Sequence, residues 1–373
     1  LSLFLQNSVC IYIHWPWCNN ICKYCDFYKF KKIKDLNYKE VYQCFIRDIK
    51  FLDKYLCNSS IKSIHVGGGT PSTMKSKLLA KIYEYIYKKY AIKKNLEVCI
   101  EANPEDINQR KLKEYKDIGV NRICLGVQSF SDYSLNFLRR SHNKEKALKS
   151  IWEASEYFNN IGIDLICGIP SLKKNSFDNQ LILAKELPIK HISIYEFHYK
   201  NKLIENFETN YSIKKYRKIL KEKNFFLYEI NSFSLKGYES IYNKSILGMG
   251  NYVGLGPAAY SRLLIDKKFI KYKNTRNISN WLDPKTNLYK KEILSKKRAL
   301  EEFLFLGLSK FEGVSFDKLE KLAGYQSKKY INMKSVDDLK TNKLLYEKQG
   351  TIFLKEKGML LINSIVSSML RKS

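Results

Sequence analysis

Over its first two hundred residues the chain alternates short apolar runs with longer stretches in which apolar side chains recur every three or four positions. The runs fall at 9–14, 61–66, 96–101, 121–127, 162–167 and 191–197. Between the first two, Val41, Phe45, Ile49 and Leu52 share a helical face; between the second and third, Leu78, Ile82, Tyr85 and Ile86 do so. Apolar runs bounded by turn residues predict strands buried on both faces, and the intervening period predicts helices that cover them. Repeated βα in this form implies a parallel sheet. Six runs are two short of a closed eight-stranded barrel, so the expected fold is α/β, either a partial barrel or an open sheet.

Polar and glycine signals follow these runs. In βα folds the loops beyond the C-terminal strand ends form the active-site face. Along that face stand Cys18 to Cys25 after the first run, Gly67-Gly68-Gly69-Thr70-Pro71 after the second, and Glu101-Ala102-Asn103-Pro104 after the third. Gln128-Ser129 follows the fourth and Gly168-Ile169-Pro170 the fifth; Tyr195-Glu196 lies in the sixth. One mouth is expected to collect them.

Past residue 200 the rhythm changes. A helix over 211–222 leads to an apolar run at 225–230 and then to Gly254-Leu255-Gly256-Pro257, a segment small enough to approach a strand or ligand closely. The Lys-rich segment 266–297 reads as a linker or solvated loop. From Arg298 onward the pattern is that of a small, mostly helical domain, with Phe303, Leu304 and Leu308 on one helix, a second opening at 316–322 and a third over 354–370. Residues 351–358 resemble a winged-helix hairpin. The expected division is a core over 1–205, a completing segment and basic linker over 206–297, and a C-terminal domain over 298–373.

Charge changes this picture little. Sixty-six Lys and Arg against 37 Asp and Glu give a net charge of +29, enough to attract nucleic acid, anionic lipid or a polycarboxylate. The excess is spread along the chain with many Asn, Ile and Tyr, as in compositional drift, so nucleic acid is not the expected partner. No apolar run reaches membrane-spanning length, and the start of the chain is too short for a signal sequence. A leader preceding Leu1 stays open.

Cysteine usage decides the chemistry. Of nine cysteines, Cys10, Cys99, Cys124 and Cys167 lie in apolar strand-like runs, and Cys44 and Cys57 on a helix and its end; these six read as small buried hydrophobes. A reducing, cytoplasmic setting follows. The other three, Cys18, Cys22 and Cys25, fall within eight residues, spaced to converge on one object from one loop. Such a loop suits an iron–sulfur cluster or zinc. Zinc needs a fourth ligand, for which Asp26 is the nearby candidate; a cluster on three cysteines leaves one iron open.

Other groups join the mouth. The triple glycine lets backbone approach a ligand's polar groups, and Thr70 adds a hydroxyl. Glu101 is placed to meet an ammonium or a ribose hydroxyl. Gln128 and Asp164 are polar residues in apolar strands, costly to bury without a partner. Arg139 and Arg140 form a pair suited to a carboxylate, one of the two being solvated charge. His14 reads as a satisfied turn histidine and His142 as a helix-end contact.

Cys-x3-Cys-x2-Cys after a strand resembles the signature of radical S-adenosylmethionine (SAM) enzymes. The neighbouring text, Ile11 to Cys18, Tyr24-Cys25-Asp26-Phe27, Gly67 to Ser72, Glu101 to Pro104, Gly126 to Phe130 and Asp164 to Pro170, resembles the oxygen-independent coproporphyrinogen oxidase family. That resemblance implies a partial (β/α)6 barrel of TIM type with a small C-terminal domain. It implies a [4Fe-4S] cluster on Cys18, Cys22 and Cys25, with SAM chelating the open iron. Tyr12, Gly68, Gly69, Thr70, Glu101, Gln128, Arg140 and Asp164 would contact SAM, and Tyr24 is a further candidate cofactor-binding residue.

Within that family the decarboxylase carries a fourth cysteine two residues after the third and a long N-terminal extension. Here Phe27 occupies that position and the chain begins shortly before the first strand, which resembles the HemW-type haem chaperones. The resemblance implies haem as a further ligand, haem-accepting proteins and an electron donor as partners, and leaves room for transient membrane contact. The subfamily's His-Asn-x-x-Tyr motif is altered. Tyr242 stands where the His would be, so Tyr242 is the candidate axial ligand of haem iron. Coproporphyrinogen decarboxylation and a basic nucleic-acid-binding module are the two alternatives.

Overall fold

The computed structural model describes residues 8–371 except 23, 34, 170–175, 198–212, 284–288, 318–319, 321–328 and 360. The turn at Pro170, the boundary at 205/206, the start of the helix expected at 211 and most of that expected over 316–322 lie outside the described residues.

Six strands appear where the apolar runs predict them: β1 (Ser8–Trp15), β2 (Ser60–Gly68), β3 (Ala91–Ala102), β4 (Arg122–Gln128), β5 (Ile161–Cys167) and β6 (His191–Glu196). They pair in parallel in sequence order. Helices α1 (Tyr38–Phe51), α2 (Ser76–Lys89), α3 (Gln109–Asp117), α4 (Asp132–Phe137), α5 (Lys144–Ser155) and α6 (Ser176–Ala184) make the crossovers. Several start on asparagine: the side chains of Asn37, Asn108 and Asn143 accept first-turn N–H groups of α1, α3 and α5. Residues that look like compositional drift are therefore helix caps.

The sheet is larger than six strands. After α7 (Ile213–Lys221), β7 (Phe226–Glu229) and β8 (Ser232–Ser234) extend it antiparallel beyond β6. After α8 (Ile241–Leu247), β9 (Asn251–Leu255) returns to lie parallel to β1 on its other side. Gly254 lets the chain fold back closely on the far side of β9, since a Cβ there would clash with the Tyr260 carbonyl oxygen.

The segment 266–297 is not a linker. β10 (Tyr260–Ile265), β11 (Lys268–Asn274) and β12 (Tyr289–Ile293) form an antiparallel meander, interrupted by α9 (Ile278–Leu282), that ends the twelve-stranded order β12-β11-β10-β9-β1-β2-β3-β4-β5-β6-β8-β7. Its Lys residues alternate with buried Phe269 and Tyr272, and an alternating edge hairpin looks apolar-poor in sequence because one face is solvated.

Beyond it, α10 (Lys296–Leu308), α11 (Met333–Thr341), the hairpin of β13 (Leu345–Lys348) and β14 (Thr351–Leu354), and α12 (Ile362–Met369) enclose a second core of Leu304, Val336, Ile352 and Ile365. Val314–Ser315 pairs with β14, giving a three-stranded antiparallel sheet; its hairpin spans 345–354, and the 351–358 segment read as a hairpin supplies only the second strand before turning helical at 356–359.

Candidate functional site

The C-terminal ends of the six parallel strands open into one cavity of about 730 Å³. Its wall includes Cys18, Cys22, Tyr24 and Cys25 from the loop after β1, Gly68 to Thr70 after β2, Glu101 on β3, Gln128 on β4, Arg140 after α4, and Asp164 on β5. Eleven of the thirteen residues expected at the site thus share one mouth. The exceptions are Tyr12 and Tyr242, which do not line it.

The Cys loop is fixed at its entry. Trp15 and Trp17 are buried edge to face with centroids 4.5 Å apart, and the Trp15 indole donates to the Thr73 hydroxyl at 2.8 Å. Backbone amides of Gly69 and Thr70 donate to the carbonyls of Trp15 and Trp17 at 2.7 and 3.0 Å, locking the glycine loop against the strand. A Cβ on Gly69 would stand 2.9 Å from the Cys18 sulfur, and Gly68 holds φ +115, so both positions need glycine.

The three sulfurs line the same cavity, yet among the described residues no three Cys, His, Asp or Glu side chains converge on a single metal ion. Three thiolates offered to one cavity are a donor set that fits a cubane, one thiolate to each of three irons.

Arg140 is buried against this loop. It donates to Asn103 Oδ1 at 2.8 Å and to the Gly126 carbonyl at 3.3 Å, and its other terminal nitrogen lies 3.6 Å from the Cys22 sulfur and 3.5 Å from the Tyr24 hydroxyl. Burial raises the Tyr24 phenol despite that guanidinium. Glu105, 3.9 Å from Arg140, also meets His142 Nδ1 at 3.1 Å and Ser141 at 2.6 Å. Burial would raise the Glu105 carboxyl, but His142, Arg140 and Ser141 together bring it down to about 2. His142 Nε2 also reaches the Val127 carbonyl at 3.0 Å, so this histidine joins the β3 and β4 loops rather than ending a helix. Glu105 and His142 were invisible as site residues because their partners lie between 15 and 37 positions away, beyond any local period.

His65 Nε2 lies 2.8 Å from Oε1 of Glu101, which lines the cavity. Burial would lower the His65 ring, but the Glu101 bond and charge raise it. Its ring stacks on Tyr242, centroids 4.7 Å apart, and lies 6.1 Å from Tyr12, whose hydroxyl meets His14 Nδ1 at 3.1 Å. Tyr12 and Tyr242 therefore form the layer that backs His65. Asp164 is pushed up by burial, with Cys124 and Glu101 adding to the effect.

Cys124 corrects the reading of the six remaining cysteines as buried hydrophobes. It lines the cavity, its sulfur 3.7 Å from that of Cys99. The Cys99 thiol and the nearby Arg122 bring Cys124 down to about 6. Alternation along a strand buried on both faces gives no sign of which face meets a cavity.

A protein-family model of the Radical SAM superfamily matches residues 12–180, and one of the HemN C-terminal domain matches residues 294–361. The three-cysteine loop and all but the β6 end of the strand-end mouth fall within the residues that match the radical SAM superfamily. The chain is 28% identical to the heme chaperone HemW of Lactococcus lactis over 98% of both chains, and 26% identical to that of Bacillus subtilis over 96% of this chain and 98% of the relative. Coproporphyrinogen III oxidase (HemN) of Escherichia coli shares the fold, with a TM-score of 0.77 at 19% identity over 98% of this chain and 90% of that one.

Proposed function

We propose that this protein is a HemW-like radical SAM haem chaperone, which holds a [4Fe-4S] cluster and SAM in the mouth and binds haem for delivery to haem-requiring proteins. The observation that carries the reading is the near-complete coverage of chaperones named HemW by a chain whose cluster loop has Phe27 two residues after its third cysteine.

Cys18, Cys22 and Cys25 would hold the cluster. When reduced, the bound cluster supplies the electron for SAM cleavage. The protein's part is positioning. Glu101 keeps one carboxylate oxygen on His65 and has the other for an ammonium or ribose hydroxyl. The triple-glycine loop, pinned to β1 through Gly69 and Thr70, brings backbone within reach of the ligand. Arg140, already bonded to Asn103 and Gly126, braces the cluster loop through Cys22 and Tyr24.

No helix among the described residues is long and apolar enough to cross a membrane. A cytoplasmic location, haem-accepting partners, an electron donor and transient membrane contact belong to this proposal.

Anaerobic cluster reconstitution followed by haem titration tests it. The expected result is a cluster absorbance that Cys22→Ala abolishes, together with saturable haem binding. Protoporphyrinogen formation from coproporphyrinogen with SAM and reductant would replace the chaperone reading with the decarboxylase one.

A further inference from the structure

The rim of the mouth carries features that neither the cluster nor SAM positioning uses. Phe27 is 67% exposed and lines the cavity. Phe197, just past β6, lines it too and meets the 40% exposed Phe137 at the end of α4 edge to face, centroids 5.7 Å apart. Two residues beyond Phe137 stands Arg139, exposed and cavity-lining. Its φ of +55 falls in the turn that closes α4, a position glycine usually takes. Arg140 is bound by Asn103 and Gly126, whereas Arg139 makes no ion pair or side-chain hydrogen bond among the described residues.

We propose that this rim is the haem-docking site, with Phe27 and Phe197 flanking the macrocycle and Arg139 binding a propionate. The inference rests on the chaperone reading and gives it a place. A flat apolar ring with carboxylates along one edge needs apolar walls and a cation at one side, and an Arg fork matches a carboxylate. Glu101 and Glu105 are engaged by His65 and by His142 and Ser141. Asp26 and Glu196, beside the two Phe side chains, are further acidic groups at the cavity, so the propionates turn away from them toward Arg139. Phe27 then has a use of its own, covering the ring where the decarboxylase pattern has a cysteine.

The test titrates the reconstituted full chain with haemin and with haemin dimethyl ester, whose propionates are blocked, following the Soret band. Arg139→Gln is expected to weaken haemin binding roughly tenfold, the scale of one charge-assisted pair, while binding the ester as the unaltered protein does. Phe27→Ala is expected to weaken both, with cluster absorbance retained. If Arg139→Gln and Phe27→Ala bind haemin like the unaltered protein, the rim assignment is overturned and the chaperone reading stands. If the unaltered protein binds neither compound, both fall.

Discussion

Tyr242 shows what a single position can hide. By motif it takes the place of a haem-ligating histidine, but its ring lies on His65 and burial holds its phenol well above the ordinary tyrosine range, unlike the tyrosinate that iron ligation needs. Its first-turn amide and that of Ile241 donate to the buried Glu97 at 3.2 Å, which fixes α8 under the histidine. Tyr242→Phe, which keeps the ring, is expected to leave both the haem spectrum and SAM affinity unchanged. Tyr242→Ala should weaken SAM binding several-fold by freeing His65 from Glu101; equilibrium dialysis of SAM separates the two. His14 makes a pH prediction. Its nitrogens meet the Tyr28 carbonyl at 2.9 Å and the Tyr12 hydroxyl, as expected of a satisfied histidine, and burial brings it down from 6.5 to about 4. A folded pKa below the unfolded one means that the unfolded chain binds the proton more tightly. Stability from this group is therefore complete above pH 6.5 and lost as pH falls toward 4, about 2 kcal/mol of it between pH 7 and 5. His14→Gln should remove that part of the fall in urea midpoint between the two pH values. An equal fall in both proteins would show that the ring titrates normally.

At the level of elements, what could be read tracked how purely a segment obeys one period. The six parallel strands are buried on both faces and announce themselves as continuous apolar runs. Only their polar extensions were missed, as where β3 begins at Ala91 and passes through exposed Lys93 and Lys94. β9 was hidden by Gly254 and Gly256, and the meander that follows by its lysines. One buried carboxylate ties several of those missed elements to the barrel. Asp48 on α1 accepts from the Gly256 amide at 2.8 Å, the Asn274 amide at 3.0 Å and the Trp281 indole at 3.0 Å, thereby joining the β9 turn, β11 and α9. Burial raises its carboxyl to about 6 against those bonds. None of these partners lies within two hundred residues of Asp48, which is why periodicity could not reveal them. Asp48→Ala would leave the Gly256 amide and the Trp281 indole without an acceptor and take one of two acceptors from the Asn274 side chain, and should cost about 3 kcal/mol, read as a lower denaturant midpoint. Hydrogen exchange should show the loss of protection first in β11 and α9. Uniform loss through β1 to β6 would mean that the meander and barrel open together.

Across the whole molecule, two large hydrophobic cores divide the stability, with a small third cluster of Met249, Phe269, Leu294 and Ala299 beside them. Val9, Ile64, Ile100, Ile123 and Ile163 belong to the core under the sheet; Leu304, Val336, Ile352 and Ile365 belong to the C-terminal one. Met359 touches both, and backbone joins them where the Ile230 amide donates to Ser309 and the Phe311 amide to Tyr228. The C-terminal unit therefore leans on the β7 end of the sheet and, through α10, on the meander at the other end, where Phe269, Leu294 and Ala299 cluster and Glu302 pairs with Lys271 and Arg262. We propose that the two cores unfold separately. Leu304→Ala, at a fully buried position, should cost about 3 kcal/mol in the second core, while Ile64→Ala should do the same in the first. In guanidinium, followed by circular dichroism and by the SAM-protected cluster absorbance, Leu304→Ala should move the helical signal to lower denaturant and leave loss of the cluster where it was. Ile64→Ala should move the cluster signal. If both variants shift both probes equally, the contacts across Met359, the β7 edge and the α10–meander cluster are enough to make the chain one cooperative unit, and the C-terminal unit would then have to be counted as part of what holds the mouth in shape.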